Sequence, residues 1–338
     1  MVRRFPVLLV GGFLVVGIVG GSPRQVHGQN QPSVSATPAD YARWRTEFTN
    51  WDRWGPDDER GASNLITPRK VLDAANLVSA GIVISLAHAV PQAASADVGE
   101  DGLFRRTTNS IGATNTSDTY QVSYHGLTVA HMDAFCHFFF EGKMYNGYSV
   151  ADNITPETGC ERGDVMAWRD GIATRAVLYD IPQLTGVEWV EPGTPITRAD
   201  LEAWEAQAGV RAGPGDVVLL YVGRWKRRAA EGAWRGSVAG FHPDTIPWIK
   251  ERDVAFLGHD FNIDWRPRPG WGADEGIPGD PVHQAVLNWM GVGIVECLDL
   301  ERAVETARRL ERYEFMMTFA PLPVEGATGS PLNPLAIF

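Results

Sequence analysis

The hydrophobic and polar positions change period several times along this chain, and each change predicts an element. Trp44, Phe48 and Trp51 recur at helical spacing and predict core-facing aromatics. WGPDDE at 54–59 is turn chemistry. Thr67-Pro68 predicts a helix start, with Thr67 as N-cap and Pro68 at the first helical position; that helix runs to about residue 80 and stops at Gly81. The β-branched run 82–86 predicts a strand. Residues 91–106 have mixed polarity and predict a long loop, suited to a lid or a partner-contact arm. Residues 119–128 alternate and lead into an extended stretch. ATRAVLYDI at 173–181 predicts a strand stopped by Pro182, and Thr197 with Asp200 predicts a capping box before a helix over 200–208. Further strands are expected over 217–222, 254–257, 292–295 and 315–320, with helices over 244–252 and 300–312. Strands alternating with helices predict an α/β protein.

Composition narrows this picture. The 338 residues are 44% hydrophobic and 21% charged, with 12 tryptophans, so the chain can bury a large core. A formal net charge of -11 with no basic run excludes nucleic acid as a partner. The cluster Trp225-Lys226-Arg227-Arg228 is only long enough for a solvated face or a single anion contact. The Gly-rich run 270–279 lacks the phosphate-loop pattern. Arg3 and Arg4 precede an apolar run over 5–19, shorter than the roughly 20 residues that span a bilayer. Residues 1–28 therefore read as a signal peptide, 29–40 as a Pro/Ser-rich linker and 41–338 as a single domain. The expected location is periplasmic or secreted, with no stable membrane insertion after cleavage; the twin arginine leaves Sec and Tat export both open. Cys136, Cys160 and Cys297 are too few for a disulfide framework and read as small buried hydrophobes.

Candidate chemistry concentrates in 125–147, HGLTVAHMDAFCHFFFEGKMYNG. In an extended chain alternate side chains share a face, so His125, His131, Asp133 and His137 would point one way, with Val129 and Phe135 as walls. Imidazole and carboxylate together are the donors a divalent metal such as zinc or manganese accepts. Without a metal or a full hydrogen-bond network, each buried polar group would cost about 1–3 kcal/mol. His125 is a possible lining residue of the site. His137 lies roughly 13 Å past Asp133 on an ideal strand, so it reaches the site only if the chain bends. His259-Asp260 closes the strand over 254–257, a common place for chemistry in α/β folds, and Asp260 is a candidate catalytic group with His259 lining the site.

The stretch resembles the signature H-x-G-T-H-x-D-x-P-x-H of the metal-dependent cyclase family, which includes bacterial kynurenine formamidase and isatin hydrolase. His131, Asp133 and His137 match the second histidine, the aspartate and the last histidine. Leu127 stands where the signature has its first histidine, Val129-Ala130 replace Gly-Thr, and the proline falls on Phe135 or Cys136. The W-G-x-D-D-E-x-G-x-x-N-L-I-T-P run and the C-terminal G-x-x-G-S-P-x-N-P-L-A-I-F resemble a longer branch of the family, and Gly329-Ser330-Pro331 is expected as a tight turn facing the site. The family's P-V-H-x and I-x-E-x-L segments match His283 and Glu296; many relatives have two consecutive histidines where this chain has His283-Gln284, so Gln284 is a possible lining residue.

The resemblance implies a swivelling β/β/α fold with a mixed, barrel-like sheet and flanking helices. It also implies a divalent metal, zinc or manganese, held by His131 and Asp133 with Glu296 and His283 or His125. The implied reaction is hydrolysis of an amide, cyclic amide, imide or lactone in a small-molecule substrate, with His137 as general base, in a homodimer or homotetramer. A metal-free lyase, cyclase or isomerase, and a non-catalytic ligand-binding protein, remain open on the same residues.

Overall fold

Nine strands make one curled, half-barrel sheet in the computed structural model, which describes residues 36–99, 104–112 and 114–338. In chain order they are β1 Val83–Ser85, β2 His131–Asp133, β3 Ile172–Asp180, β4 Val217–Tyr221, β5 Phe256–His259, β6 Gly293–Glu296, β7 Glu314–Phe319, β8 Gly329–Pro331 and β9 Leu335–Ile337. Their order across the sheet is β1-β9-β7-β3-β4-β5-β6-β2-β8. The central four, β3 to β6, are parallel. Their near-continuous apolar sequences follow from burial on both faces. The outer pairings are antiparallel. The expected α/β fold with a mixed, barrel-like sheet and flanking helices is the observed one. The expected signal peptide 1–28 lies outside the described residues, as do the linker up to residue 35 and part of the 91–106 loop.

Helices α1 Pro38–Glu47, α2 Pro68–Ala75, α3 Arg198–Ala208, α4 Arg224–Glu231, α5 Ile246–Arg252 and α6 Glu301–Leu310 flank the sheet. Thr67 caps α2 and Thr197 forms a capping box with Asp200 on α3, as their sequences predict. Helix α1 starts inside the expected linker, because Thr37 and Asp40 form a further capping box. Helix α2 ends five residues early: after Asn76 the chain tightens and turns so that the amides of Ala80 and Gly81 donate to the Phe338 carbonyl. Local propensity favours more helix there, and pairing with the C-terminus overrides it. No helix among the described residues is long and apolar enough to cross a membrane.

Two departures change the site. The alternating run 119–128 is not one strand leading into the key residues. An exposed hairpin, Arg105–Ile111 with Thr116–Gln121, ends at Gln121, residues 125–129 bend, and regular strand begins only at His131. The second departure corrects the cysteines. Cys136 and Cys160 are both buried, as read, but they form a disulfide with Cα atoms 6.4 Å apart. Their separation of 24 residues closes a loop whose constraint is worth about 3 kcal/mol in the chain-entropy picture. Cys297 is free and buried.

Candidate metal centre

The site forms where β2 lies antiparallel to the carboxyl end of β6, placing His131 directly opposite Glu296. Period-2 alternation puts His131 and Asp133 on one face of β2 and sends Met132 into the core. His131 Nδ1 lies 2.8 Å from the Val129 carbonyl, so it carries the proton and leaves the Nε2 lone pair facing Asp133, with Oδ1 3.6 Å away. On the other side, the turn Pro281–His283 brings His283 Nε2 to 3.1 Å from Glu296 Oε1 and 3.8 Å from Asp133 Oδ2. Asp264 holds His283 through Nδ1 and accepts the backbone N–H of Val282 and His283. Glu296 is oriented by the Ile263 amide at 2.6 Å and by Asn262 at 3.3 Å.

His137 arrives by the bend its spacing requires. Residues Phe135–His137 form a 3-10 turn, and the Cys136 amide donates to Gly163. The ring stacks on His125 with centroids 3.8 Å apart and planes 11° apart. Ligand atoms of His125, Asp133 and His137 all lie within 4.8 Å of one another. His125 is therefore much closer than an extended chain would allow: the bend at 125–129 carries Nδ1 to 2.9 Å from Asp133 Oδ1. This puts His125 within reach of an ion that Asp133 and His137 could share. Gly329 makes room for it, since a Cβ there would lie 2.7 Å from the His125 ring and 2.4 Å from the Met132 carbonyl. Thr328 Oγ1 contacts His125 Nε2 at 3.0 Å. Gly329-Ser330-Pro331 is the edge strand β8 rather than the expected tight turn.

The electrostatics point to a cation. Asp133 Oδ1 is fully buried and is left without a well-formed hydrogen bond, although His125 Nδ1 lies 2.9 Å away. Burial pushes the Asp133 carboxyl up, but the His125 contact and the charges of His137, His131 and His125 hold it below the usual carboxylate range. Burial pushes His283 down, yet Glu296 and Asp264 outweigh this and raise it well above the ordinary histidine value. A proton between His283 and Glu296 thus supplies positive charge that a bound ion would otherwise supply. His137 is held down to about 4, chiefly by burial and opposed by the Asp133 charge, so its ring is neutral at pH 7.

The other predicted residues sit elsewhere. Asp260 accepts the amides of Val222, Gly223 and Arg224 and so caps α4. His259 is buried beside it and accepts the Phe261 amide. Gln284 points at the Phe139 carbonyl and the Tyr41 hydroxyl. None of the three lines the cavity, which has a volume of about 530 Å³ and includes His125, His131, Asp133, His137, His283 and Glu296 in its wall. Asp264 was missed because an acid five residues beyond the end of β5 carries no local mark of its histidine partner. Arg224, just before the basic cluster 225–228, was not singled out in the sequence. It is buried, pairs with Asp97 at 2.9 Å and donates to the Leu127 carbonyl at 2.6 Å, fixing the bend that delivers His125. Asp97→Asn keeps the shape and removes the charge. It should destabilise the protein by about 2 kcal/mol in urea unfolding; an unchanged midpoint would detach that pair from the fold.

The family model named Cyclase matches residues 67–264, more than half of the chain. The chain belongs to the cyclase family. Within that family, a solved structure described as a novel cyclase is 29% identical, with a TM-score of 0.75, covering 87% of this chain and 99% of the other. Isatin hydrolase A from Ralstonia solanacearum is 21% identical, with a TM-score of 0.51, covering 75% and 91%. An isatin hydrolase bound to the product analogue thioisatinate is 16% identical, with a TM-score of 0.53, covering 80% and 99%. At these identities the two isatin hydrolases show the shared fold. No curated protein matches the chain. The cyclase match ends at Asp264, so His283 and Glu296 lie outside it; the structure sets His283 beside Asp133 and Glu296 opposite His131.

Asp264 gives a prediction specific to this cyclase-family chain. Partners that orient a metal-binding histidine typically contribute 10–100-fold to affinity. Asp264→Asn should weaken metal binding by about that factor in competition with a chromogenic chelator, while His131 and Asp133 stay in place. Parent-like affinity would show that His283 needs no orienting carboxylate.

Proposed function

We propose that this protein is a divalent-metal-dependent hydrolase that opens an amide, cyclic amide, imide or lactone bond, with zinc or manganese as its metal. The observation that carries the reading is the buried Asp133 Oδ1, which lacks a hydrogen bond while nitrogen atoms of His125, His131 and His283 approach the same carboxylate and Glu296 contacts His283. Their chemistry, imidazole nitrogen and carboxylate oxygen, fits such an ion. His131, Asp133, His283 and Glu296 would hold it, with His125 beside Asp133. When bound, the ion polarises a carbonyl and acidifies a water.

The remaining work falls to the chain itself. His137, neutral at pH 7, accepts the proton of the attacking water and returns it to the departing nitrogen or oxygen. Its stack on His125 sets the plane of the ring. Phe138, Phe261 and Trp271 line the cavity and offer apolar surface to a flat ring in the substrate. Opening a cyclic amide produces a carboxylate, and Arg235 and Arg266 also line the cavity. The related isatin hydrolases act on a cyclic amide by their name, which supports placing cyclic amides first among substrates.

The test is metal analysis of protein purified without chelator, alongside a screen of cyclic amides, lactones and aryl formamides. About one or two equivalents of zinc or manganese are expected, with turnover lost on chelation and restored by the metal. A well-folded preparation that binds no divalent ion and turns over none of these classes would refute the reading.

A further inference from the structure

The disulfide stands next to the residue that moves the proton. Cys136 is the middle residue of the turn Phe135–His137, and it is joined to Cys160 in the short ribbon Ile154–Thr155 with Gly159–Cys160. We propose that this disulfide is a positioning device for His137, so that the site is complete only in oxidised protein. The proposal rests on the role given to His137 above.

His137 has little else to hold it. Its ring makes no side-chain hydrogen bond among the described residues; it is placed by stacking on His125, by edge contact with Phe138, and by its own backbone turn. That turn has two tethers across the fold at Cys136: the amide bonded to Gly163 and the disulfide to Cys160. The far post is firmly anchored. The Cys160 amide donates to Gly326, the Gly326 amide donates to Asp164, and Gly163 and Arg162 both donate to Glu59. Phe135 packs on Tyr145 and Trp168, so the turn stays attached to the core without the disulfide while the His137 end gains freedom. The residue directly beyond the bridge is therefore the one most exposed to its loss.

Formation balances as ordinary thiol–disulfide exchange. The Cys136 and Cys160 thiols together lose two protons and two electrons, and the disulfide of a thiol oxidant is reduced to two thiols. The charged and apolar run at the N-terminus of the sequence is consistent with delivery to a compartment where such oxidants operate.

The experiment compares three states of the full chain: oxidised parent, parent reduced with a phosphine, and Cys136→Ser/Cys160→Ser. Thiol titration in denaturant should find one thiol in the parent, Cys297, and three after reduction. With 15N-labelled histidine, the His137 ring signals, assigned by their loss in His137→Asn, should shift and broaden in both disulfide-free states, while those of the remote His242 stay fixed. On any substrate found by the screen, kcat should fall about 10²-fold with KM within about twofold, the signature of a misplaced group rather than a lost fold. Reoxidation with oxidised glutathione should restore kcat. If the double variant does not fold, the reduced and reoxidised parent decides. Three free thiols in the parent, or unchanged His137 signals and kcat without the disulfide, would overturn the proposal. Should no substrate be turned over, the hydrolase reading fails, and the His137 signals still decide the role of the disulfide.

Discussion

Asp133→Ala protein is expected to purify without metal and to show no turnover above background. Asp133 is buried at the centre of the site, with one carboxylate oxygen facing His125 and His131 and the other facing His283. Removing it takes away the one acid that both flanks share. Partners that only orient a ligand contribute 10–100-fold in affinity, so loss of a direct ligand should exceed about 10²-fold. The pH dependence has a definite sign. Asp133 is held below the usual carboxylate range, so it stays charged throughout neutral pH. The metal-free form of His283 is raised, so its folded-state proton stabilises the protein below the ordinary histidine value, and that contribution is lost as pH rises through the raised one. Metal must displace this proton. Binding at pH 7 should therefore release protons in calorimetry across buffers of different ionisation heat, and affinity should weaken as pH falls. One tight equivalent of metal retained by Asp133→Ala would mean that the ion is held elsewhere.

His137→Ala is expected to keep metal and fold while turnover falls by about 10²–10⁴, the usual contribution of a general acid–base group. That range corresponds to about 3–5 kcal/mol of barrier. The acid limb of the parent's pH–rate profile should vanish with it. A second readout needs no substrate. Burial holds His137 down to about 4, whereas its unperturbed value is 6.5. The unfolded chain therefore binds the extra proton across that window, and metal-free protein loses stability as pH falls from 6.5 towards 4, by on the order of 3 kcal/mol. The alanine variant should lose that part of the slope in urea melts at a series of pH values. Its ligand atom lies among those of His125 and Asp133, so the competing outcome is clear. Loss of metal together with turnover would make His137 a ligand and remove it from proton transfer.

Asp260 shows how a correct local pattern can carry the wrong role. A polar pair at the end of β5 was legible in the sequence, and so was its position near chemistry in an α/β fold. Which acid near that strand end faces the site was not legible. Asp260 turns to the amides at the start of α4, and Asp264 takes the histidine. Both acids stand among alternating apolar residues, Phe261, Ile263 and Trp265, and only the packed partner distinguishes them.

The sequence by itself determined the apolar strands, the Thr67 and Thr197 caps, and the H-x-D pair on a common face. Each depends on side-chain period or on hydrogen bonds spanning three residues, so the information is local. It also carried the histidines and the glutamate as residue types, and the need for a bend before His137. The tertiary structure decided the rest. The bend at 125–129, held by Arg224 from α4, brings His125 to Asp133; antiparallel pairing sets Glu296 opposite His131; and the Cys136–Cys160 bridge joins segments that alternation alone assigns to the core. These contacts join residues distant in sequence. Their geometry follows from sheet register and loop closure, which no short window of the chain encodes.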